Sequence, residues 1–317
     1  MVMDRLISPI RAVVQCVTDL DRAVAFYRNA FGFGVRGRGP LSTDPALRAA
    51  WQIPQGLTGA YVAVGPNNPQ APVLRLTAFS RGGERIWGNY ESFQDLGLFA
   101  VNYRVPNIMR GWEAMLAAGA KPRSKPMFWN ILDGVSAWES QAIDPDGVLM
   151  DVFEMQGSRT GAIFGDCEAP CSGVQTVALH TKDADRSKRF YMGLGYDQFY
   201  DRVFSDLEDL LHLPKGAKLR NVNLMMPDVT PLGRIEIAQY IGYPGKQTRG
   251  KAVPPNTGVL AVSFQTSDLG SAHARALELG ATPIGTPAKA TLAPFGEVEL
   301  ATVFGPDGEV VELFQCI

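Results

Sequence analysis

The stretch VTDLDRAVAFY, residues Val17–Tyr27, decides the fold because it returns as TKDADRSKRFY at residues Thr181–Tyr191. Each copy places an Asp just before an amphipathic segment that ends in a Phe-Tyr pair, which predicts a capped helix. A second motif repeats at nearly the same offset, with DPDG beginning at Asp144 and GPDG at Gly305, 161 positions later. Since matches in one order at nearly one offset indicate internal repetition, the chain is predicted to be a duplication.

The duplication divides the 317 residues into two halves of ordinary domain size. We predict a first domain at residues 1–157, a linker rich in glycine, proline and small residues at 158–171, and a second domain at 172–317. Each half is doubled again, because VVQCVTDLDRAVAFYRNAFGF and LFAVNYRVPNIMRGWEAMLAAGA follow the same order of strand, helix and glycine. Short β-rich runs fill the remainder of each unit, so four βαβββ modules of the α+β class are predicted.

Composition narrows the range of partners. The 30 basic and 32 acidic residues give a net charge of −2, so no basic excess favours a nucleic-acid or anionic-membrane partner. No apolar run approaches the roughly 18 residues that a membrane helix needs. Four cysteines are too few for a disulfide scaffold, and a cytoplasmic location is expected. We therefore expect a small-molecule substrate or ligand, and a homodimer is left open.

The V-x-D aspartate before the Phe-Tyr helix, with a closing strand after D-P-D-G, resembles the vicinal oxygen chelate superfamily. That superfamily includes glyoxalase I, extradiol ring-cleaving dioxygenases and bleomycin-binding resistance proteins. The resemblance covers nearly the whole chain, and four modules in two tandem domains resemble the extradiol dioxygenase layout. It implies two domains, each with the strands of its paired modules curled into a cupped mixed sheet.

The resemblance also implies metal-ligand positions on the first and last strands of each module. The first-strand positions contain no histidine and are occupied by Ala12, Ala100, Thr176 and Ala261. The last-strand positions are occupied by Arg75, Asp151, Glu236 and Glu312. If each half forms its own cup, Arg75 and Asp151 face each other in the first cup as an ion pair, because arginine cannot ligate a metal. The second cup then holds both Glu236 and Glu312.

Strand alternation adds polar residues to this second cup. His180 shares a strand face with Thr176, and the partner strands add Ser263, Gln265 and Phe314. The candidate catalytic residues are Glu236, Glu312 and His180, with Thr176, Ser263, Gln265 and Phe314 as candidate substrate-binding residues. The same His180, Glu236 and Glu312 are the candidate ligands if a divalent metal is bound. The alternative for His180 is a structural residue satisfied by a backbone group.

Aromatic residues supply a further candidate binding surface. All the tryptophans belong to the first half: Trp51, Trp87, Trp112, Trp129 and Trp138. Trp112 occupies a helix position that faces the sheet and is expected in the core. The other four are suited to lining a site for an aromatic or extended hydrophobic ligand, and ordinary packing in the core or at the domain interface is the alternative for each of them.

Three functions remain open. The first is an enzyme of isomerase or lyase type that transfers protons on a small aromatic or carbonyl-bearing molecule in the second cup. The second is a degenerate extradiol-type dioxygenase with a non-standard metal site, which the absent histidines oppose. The third is a non-catalytic protein that sequesters a hydrophobic molecule. No cofactor other than a divalent metal is indicated.

Overall fold

The computed structural model describes residues 5–86, 95–167, 170–247 and 250–317. The first module contains β1 (Ile10–Cys16), α1 (Leu20–Phe31), β2 (Gly34–Pro40), α2 (Pro45–Ala50), β3 (Gly59–Gly65) and β4 (Val73–Phe79). The second contains β5 (Asp95–Arg104), α3 (Ile108–Ala117), β6 (Lys121–Leu132), β7 (Val135–Ile143) and β8 (Leu149–Gln156), followed by α4 (Thr160–Phe164). The third contains β9 (Gly173–His180), α5 (Ala184–Leu194), β10 (Asp197–Phe204), α6 (Glu208–Leu211), β11 (Lys218–Met226) and β12 (Thr230–Ile241), followed by β13 (Lys246–Gln247). The fourth contains β14 (Gly258–Gln265), α7 (Leu269–Glu278), β15 (Thr282–Leu292), β16 (Gly296–Phe304) and β17 (Val310–Cys316). Four βαβββ modules are confirmed.

The first helix of every module begins at a side-chain cap. Asp19 accepts a hydrogen bond from the backbone N–H of Arg22, and Asp183 accepts one from Arg186. Asn107 and Asp268 cap α3 and α7 in the same way. These side chains satisfy backbone N–H groups that have no partner within the helix. The repeated aspartate of the sequence motif therefore has a structural role. No helix in the described ranges is long and apolar enough to cross a membrane.

Two mixed sheets are formed, and each takes one module from each half of the chain. The eight-stranded sheet has the order β15-β16-β17-β14-β1-β4-β3-β2 and joins the first and fourth modules. The nine-stranded sheet has the order β10-β11-β12-β9-β5-β8-β7-β6, with β13 beside β5, and joins the second and third modules. Antiparallel pairs of first strands, β1 with β14 and β5 with β9, connect the modules. The predicted α+β class with cupped mixed sheets is confirmed, whereas the expectation that each half closes its own cup is wrong.

The helices and turns hold the two modules of each half together. Helix α1 packs on α3, and α5 packs on α7, within the main hydrophobic core. Asp144 of the DPDG turn accepts hydrogen bonds from Tyr27 Oη at 2.8 Å and Gln15 Nε2 at 2.6 Å. Asp307 of the GPDG turn accepts hydrogen bonds from Thr181 and Ser187. The two modules of each half are thus joined through helices and turns, while their strands pair with those of the other half.

Candidate active site

The cup of the eight-stranded sheet encloses a cavity of about 540 Å³ that contains a closed ion pair. Arg75 donates to both carboxylate oxygens of Glu312, at 3.0 and 2.9 Å. Ser263 Oγ and Trp51 Nε1 donate to the same carboxylate at 2.6 and 2.7 Å. Although burial raises the pKa of Glu312, the charge and hydrogen bonds of Arg75 and the other two donors bring it below its usual value. Glu312 is therefore an ionised carboxylate whose acceptor sites are already used.

This pairing replaces the one expected from the sequence. Arg75 belongs to the first module and Glu312 to the fourth, and both are nearly fully buried. The expected ion pair between Arg75 and Asp151 is wrong, because Asp151 lies in the other sheet. The expected cup containing both Glu236 and Glu312 is wrong for the same reason, so the predicted metal set of His180, Glu236 and Glu312 does not assemble.

The cup of the nine-stranded sheet is larger, with a cavity of about 970 Å³. Aromatic side chains form much of its wall: Phe99, Trp129, Phe153, Phe164, Phe199, Tyr200 and Tyr240. Leucines of α6 and its flanks, Leu207, Leu210 and Leu211, cover another side. Polar and charged side chains of the sheet complete the lining, and a concave cavity that combines apolar walls with converging polar groups is the usual form of a small-molecule site.

Three carboxyl groups line this cavity: Glu139 on β7, Asp151 on β8 and Glu236 on β12. Burial raises the pKa of Glu236 to about 7, with a contribution from the charge of Asp151. Burial also raises the pKa of Asp151 to about 7, and raises that of Glu139 well above its usual value, with the neighbouring acids adding to the effect. None of the ion pairs between described residues includes these groups. The cluster can therefore hold and exchange protons near neutral pH.

Amide side chains hold Glu236 in place and border Asp151. Asn221 donates to Glu236 Oε1 at 2.9 Å, and Asn102 donates to Glu236 Oε2 at 3.3 Å. Asn102 stands directly beside Asp151 in the register of β5 and β8, and beside Thr176 in that of β5 and β9. Asp151 Oδ1 is buried without a hydrogen-bond partner. That oxygen is an acceptor available to a bound molecule.

His180 belongs to this sheet and lies behind the cavity wall. Its ring contacts Tyr240 and Phe99, with ring centroids 4.8 and 6.4 Å away. Its Nδ1 lies 2.8 Å from the backbone carbonyl oxygen of Asp95. Burial lowers the pKa of His180 to about 4, so the imidazole is neutral at pH 7. The described residues that line the cavity do not include His180, and its placement matches the structural alternative.

The predicted substrate-binding residues are divided between the two sheets. Thr176 lines the cavity of the nine-stranded cup, next to Asn102. Ser263 donates to Glu312 in the other cup. Phe314 is fully buried in a separate apolar cluster, and Gln265 lies near the exposed Cys316. The structure therefore does not assemble Thr176, Ser263, Gln265 and Phe314 into one site.

Two tryptophans line the cups, as the aromatic interpretation expected. Trp51 borders the cavity of the eight-stranded cup, and Trp129 borders that of the nine-stranded cup. Trp112 is a core residue, Trp138 is exposed, and Trp87 lies outside the described residues.

Sequence reasoning missed Glu139 and Arg234. Glu139 occupies a middle strand for which the resemblance offers no ligand position. Arg234 precedes Glu236 by two residues on β12, and strand alternation therefore places both side chains on one face. That signal was present in the stretch RIEIA and could have identified Arg234.

A metal centre of the histidine-carboxylate type does not fit either cup. The carboxylate in the eight-stranded cup is neutralised by Arg75. In the nine-stranded cup the central side chains offer only oxygen donors, whereas iron and zinc sites usually include imidazole or thiolate ligands. Across the described ranges, no group of three or more His, Cys, Asp or Glu side chains is arranged to hold a metal ion.

Comparison with known proteins agrees with the fold. Residues 10–152 match the family model described as the Glyoxalase/Bleomycin resistance protein/Dioxygenase superfamily. No curated protein matches the chain. Among solved structures, glyoxalase I from Zea mays superposes with a TM-score of 0.63 and 18% identity, covering 97% of this chain and 92% of that chain. A putative dioxygenase from Bacillus subtilis subsp. subtilis str. 168 has a TM-score of 0.61 and 10% identity, covering 98% of this chain and 86% of that chain. At these identities the structural likeness concerns the fold alone.

Proposed function

We propose that the chain is an enzyme that moves protons on a small aromatic or carbonyl-bearing molecule, as its match to the glyoxalase/bleomycin resistance/dioxygenase family model over residues 10–152 suggests. The reaction is of isomerase or lyase type and takes place in the nine-stranded cup. The observation that carries this proposal is the pair Asp151 and Glu236, two buried carboxyl groups that face one cavity without a cationic partner in an ion pair.

The pair supplies a base and an acid at the same pH. Ionised Glu236 accepts the proton from the carbon beside the carbonyl group, and the electron pair of that C–H bond becomes the C=C bond of the enol. The carbonyl oxygen accepts the proton of neutral Asp151 as its π bond opens. Return of the proton to a different carbon completes an isomerisation, and loss of a leaving group completes an elimination. Two carboxyl groups with pKa values near the working pH suit these roles.

The residues around Glu236 and Asp151 support their separate roles as base and acid. Hydrogen bonds from Asn221 and Asn102 hold the Glu236 carboxylate in place and leave it able to accept a proton. Burial and the charges of Asp151 and Glu236 raise the pKa of Glu139 well above its usual value, which favours its neutral form, and a neutral carboxyl group can donate a hydrogen bond to the oxygen that gains negative charge. The apolar wall excludes water and strengthens each of these interactions.

The ion pair of the eight-stranded cup supports a structural role for that cup. Glu312 is held by Arg75, Ser263 and Trp51, and it has no acceptor site left for a substrate proton. We therefore assign no catalytic role to Glu312. Cytoplasmic location and homodimer formation remain predictions, and the low number of cysteines supports the first.

Proton exchange in heavy water tests the proposal. Phenylacetone and phenylpyruvate carry enolisable C–H bonds next to a carbonyl group, and loss of their proton NMR signals reports exchange. We expect the protein to accelerate exchange of at least one of them, and Glu236→Gln and Asp151→Asn each to reduce that acceleration by about 100-fold or more.

The control is Ser263→Ala, which removes one hydrogen bond in the other cup and should leave exchange unchanged. Equal exchange in the wild type, Glu236→Gln and Asp151→Asn would contradict the proposal. Tight binding of both probes without exchange would instead indicate a sequestration protein.

A further inference from the structure

Arg234 is a cation buried in the wall of the nine-stranded cup. It is only 1% exposed and lines the same cavity as Glu236 and Asp151. Its Nε donates to the backbone oxygen of Pro231 at 2.8 Å, whereas its Nη2 is buried with no hydrogen-bond partner. Buried arginine side chains normally satisfy their donors with carboxylates or carbonyls. An unused donor on a buried guanidinium therefore needs a partner that the described residues do not provide.

Aromatic rings surround the guanidinium group of Arg234. Its central carbon lies 4.2 Å from the ring centre of Phe164 and 5.5 Å from that of Phe199. These cation–π contacts stabilise the charge without using its N–H donors. The hydrogen-bonding edge of the guanidinium group, which carries Nη2, thus remains for a ligand.

The charges near Arg234 do not neutralise it. No ion pair between described residues includes Arg234. A second buried cation, Arg104, also contacts the Phe164 ring and uses two of its donors on the backbone oxygens of Phe164 and Gly165. Burial and the charge of Arg104 lower the pKa of Arg234 to about 9, which still leaves it charged at pH 7. Arg234 is therefore a charged group in the cavity wall that forms no ion pair with a described carboxylate.

We propose that Arg234 binds the carboxylate of the substrate, so that the molecule taken by the nine-stranded cup is a small organic acid with an apolar or aromatic body. The inference rests on the proposed function and adds the class of its substrate. Arg234 and Glu236 are two residues apart on β12, which separates their Cα atoms by roughly 6–7 Å. A carboxylate on Arg234 thus leaves the next carbons of the same molecule near Glu236 and Asp151.

A carboxylate fits this site better than a phosphate. The planar guanidinium edge matches the two oxygens of a carboxylate, and its faces are already covered by rings. A phosphate dianion would need several further donors. The second arginine among the described lining residues, Arg123, already donates to the Gln141 side chain and to the backbone oxygen of Leu211. Aromatic and aliphatic side chains form much of the remaining wall, which suits an apolar body.

Binding of phenylacetate and of its neutral counterpart phenylacetamide tests the proposal by calorimetry at pH 7. We expect the wild-type chain to bind phenylacetate about 10- to 100-fold more tightly, because a charge-assisted hydrogen bond is lost in the amide. In Arg234→Met that preference should disappear while binding of phenylacetamide persists. Ser263→Ala, in the other cup, should keep the wild-type preference. Arg234→Lys should keep part of the preference for phenylacetate, since lysine retains the positive charge but not the planar pair of N–H donors of the guanidinium group.

Thermal unfolding distinguishes a ligand-binding arginine from a structural one. Removing an unpaired buried charge should leave the melting temperature of Arg234→Met unchanged or raised, and phenylacetate should raise it in the wild type only. A wild type without preference for the acid, or an Arg234→Met variant that keeps the preference, would overturn the proposal. Failure of both Arg234→Met and Arg234→Gln to fold would also overturn it, because Arg234 would then be structural.

The two proposals fail separately. Preference for phenylacetate without any proton exchange would leave the anion site in place and refute the catalytic role of Glu236 and Asp151. If proton exchange depends on Glu236 but the wild type shows no preference for phenylacetate, the proposed catalytic function stands and the proposed role of Arg234 is refuted.

Discussion

Replacing Glu236 by Gln should stabilise the chain at alkaline pH while removing its activity. Glu236 is a carboxyl group held in an apolar cavity near Asp151, and its pKa is raised from 4.5 to about 7. The folded state therefore binds this proton more tightly than the unfolded state does. The free energy of unfolding must then fall as the pH rises from about 4.5 to about 7, and the loss is complete above pH 7.

The size of the effect follows from the pKa change. Each pKa unit corresponds to about 1.4 kcal/mol, so the full change amounts to roughly 3 kcal/mol. Glu236 keeps partial exposure toward the cavity and is coupled to Asp151, which reduces the expected value to about 1–2 kcal/mol. Glu236→Gln should therefore be more stable than the wild type by about 1–2 kcal/mol at pH 8 and nearly equal at pH 4.5.

Urea unfolding followed by circular dichroism at pH 4.5, 6 and 8 measures this difference. The matched control is Glu297→Gln on an exposed position of β16, which should change stability by less than about 0.5 kcal/mol at every pH. The reasoning is refuted if Glu236→Gln is less stable than the wild type at pH 8, or if its stability depends on pH as steeply as that of the wild type.

Other predictions concern the ion pair of the eight-stranded cup, the helix caps and metal binding. Arg75→Met should lower the free energy of unfolding, measured by urea unfolding, by about 3–5 kcal/mol, because Glu312 is left buried and unpaired. The double variant Arg75→Met with Glu312→Leu should recover much of that loss. Equal losses in the single and double variants would argue against a closed ion pair. Asp183→Ala should cost about 1 kcal/mol in the same assay, since α5 loses its cap, and a neutral result would deny that role to the repeated aspartate. Prolonged treatment with a chelator should leave proton exchange in the nine-stranded cup unchanged, and its loss with recovery on adding one divalent metal would contradict the donor analysis.

Strand alternation in the sequence predicts some features of the candidate site and not others. Alternation correctly placed Thr176 on the inner face of its strand, and the closing-strand positions identified Asp151, Glu236 and Glu312 as inward-facing. The same patterns failed to say which of these carboxylates meet, since alternation specifies a face of a sheet and not the neighbouring strand. His180 was assigned to the same face of its strand as Thr176. Tyr240 and Phe99 pack against its ring, and no sequence pattern near His180 indicates that packing.

The sequence by itself determined the four modules, the caps of their helices and the α+β class. These features depend on residues close together in the chain, such as Asp19 and the N–H of Arg22 three positions later. Only the tertiary structure decided that the first module joins the fourth and the second joins the third. The pairs β1–β14 and β5–β9 bring together residues at least 69 positions apart, the separation of Arg104 and Gly173. The first strands of all four modules are similar buried runs, so hydrophobic patterning is compatible with either pairing. The long-range contacts of the whole chain decide between them, and with that choice they bring Arg75 to Glu312 and leave Arg234, Asp151 and Glu236 around one cavity.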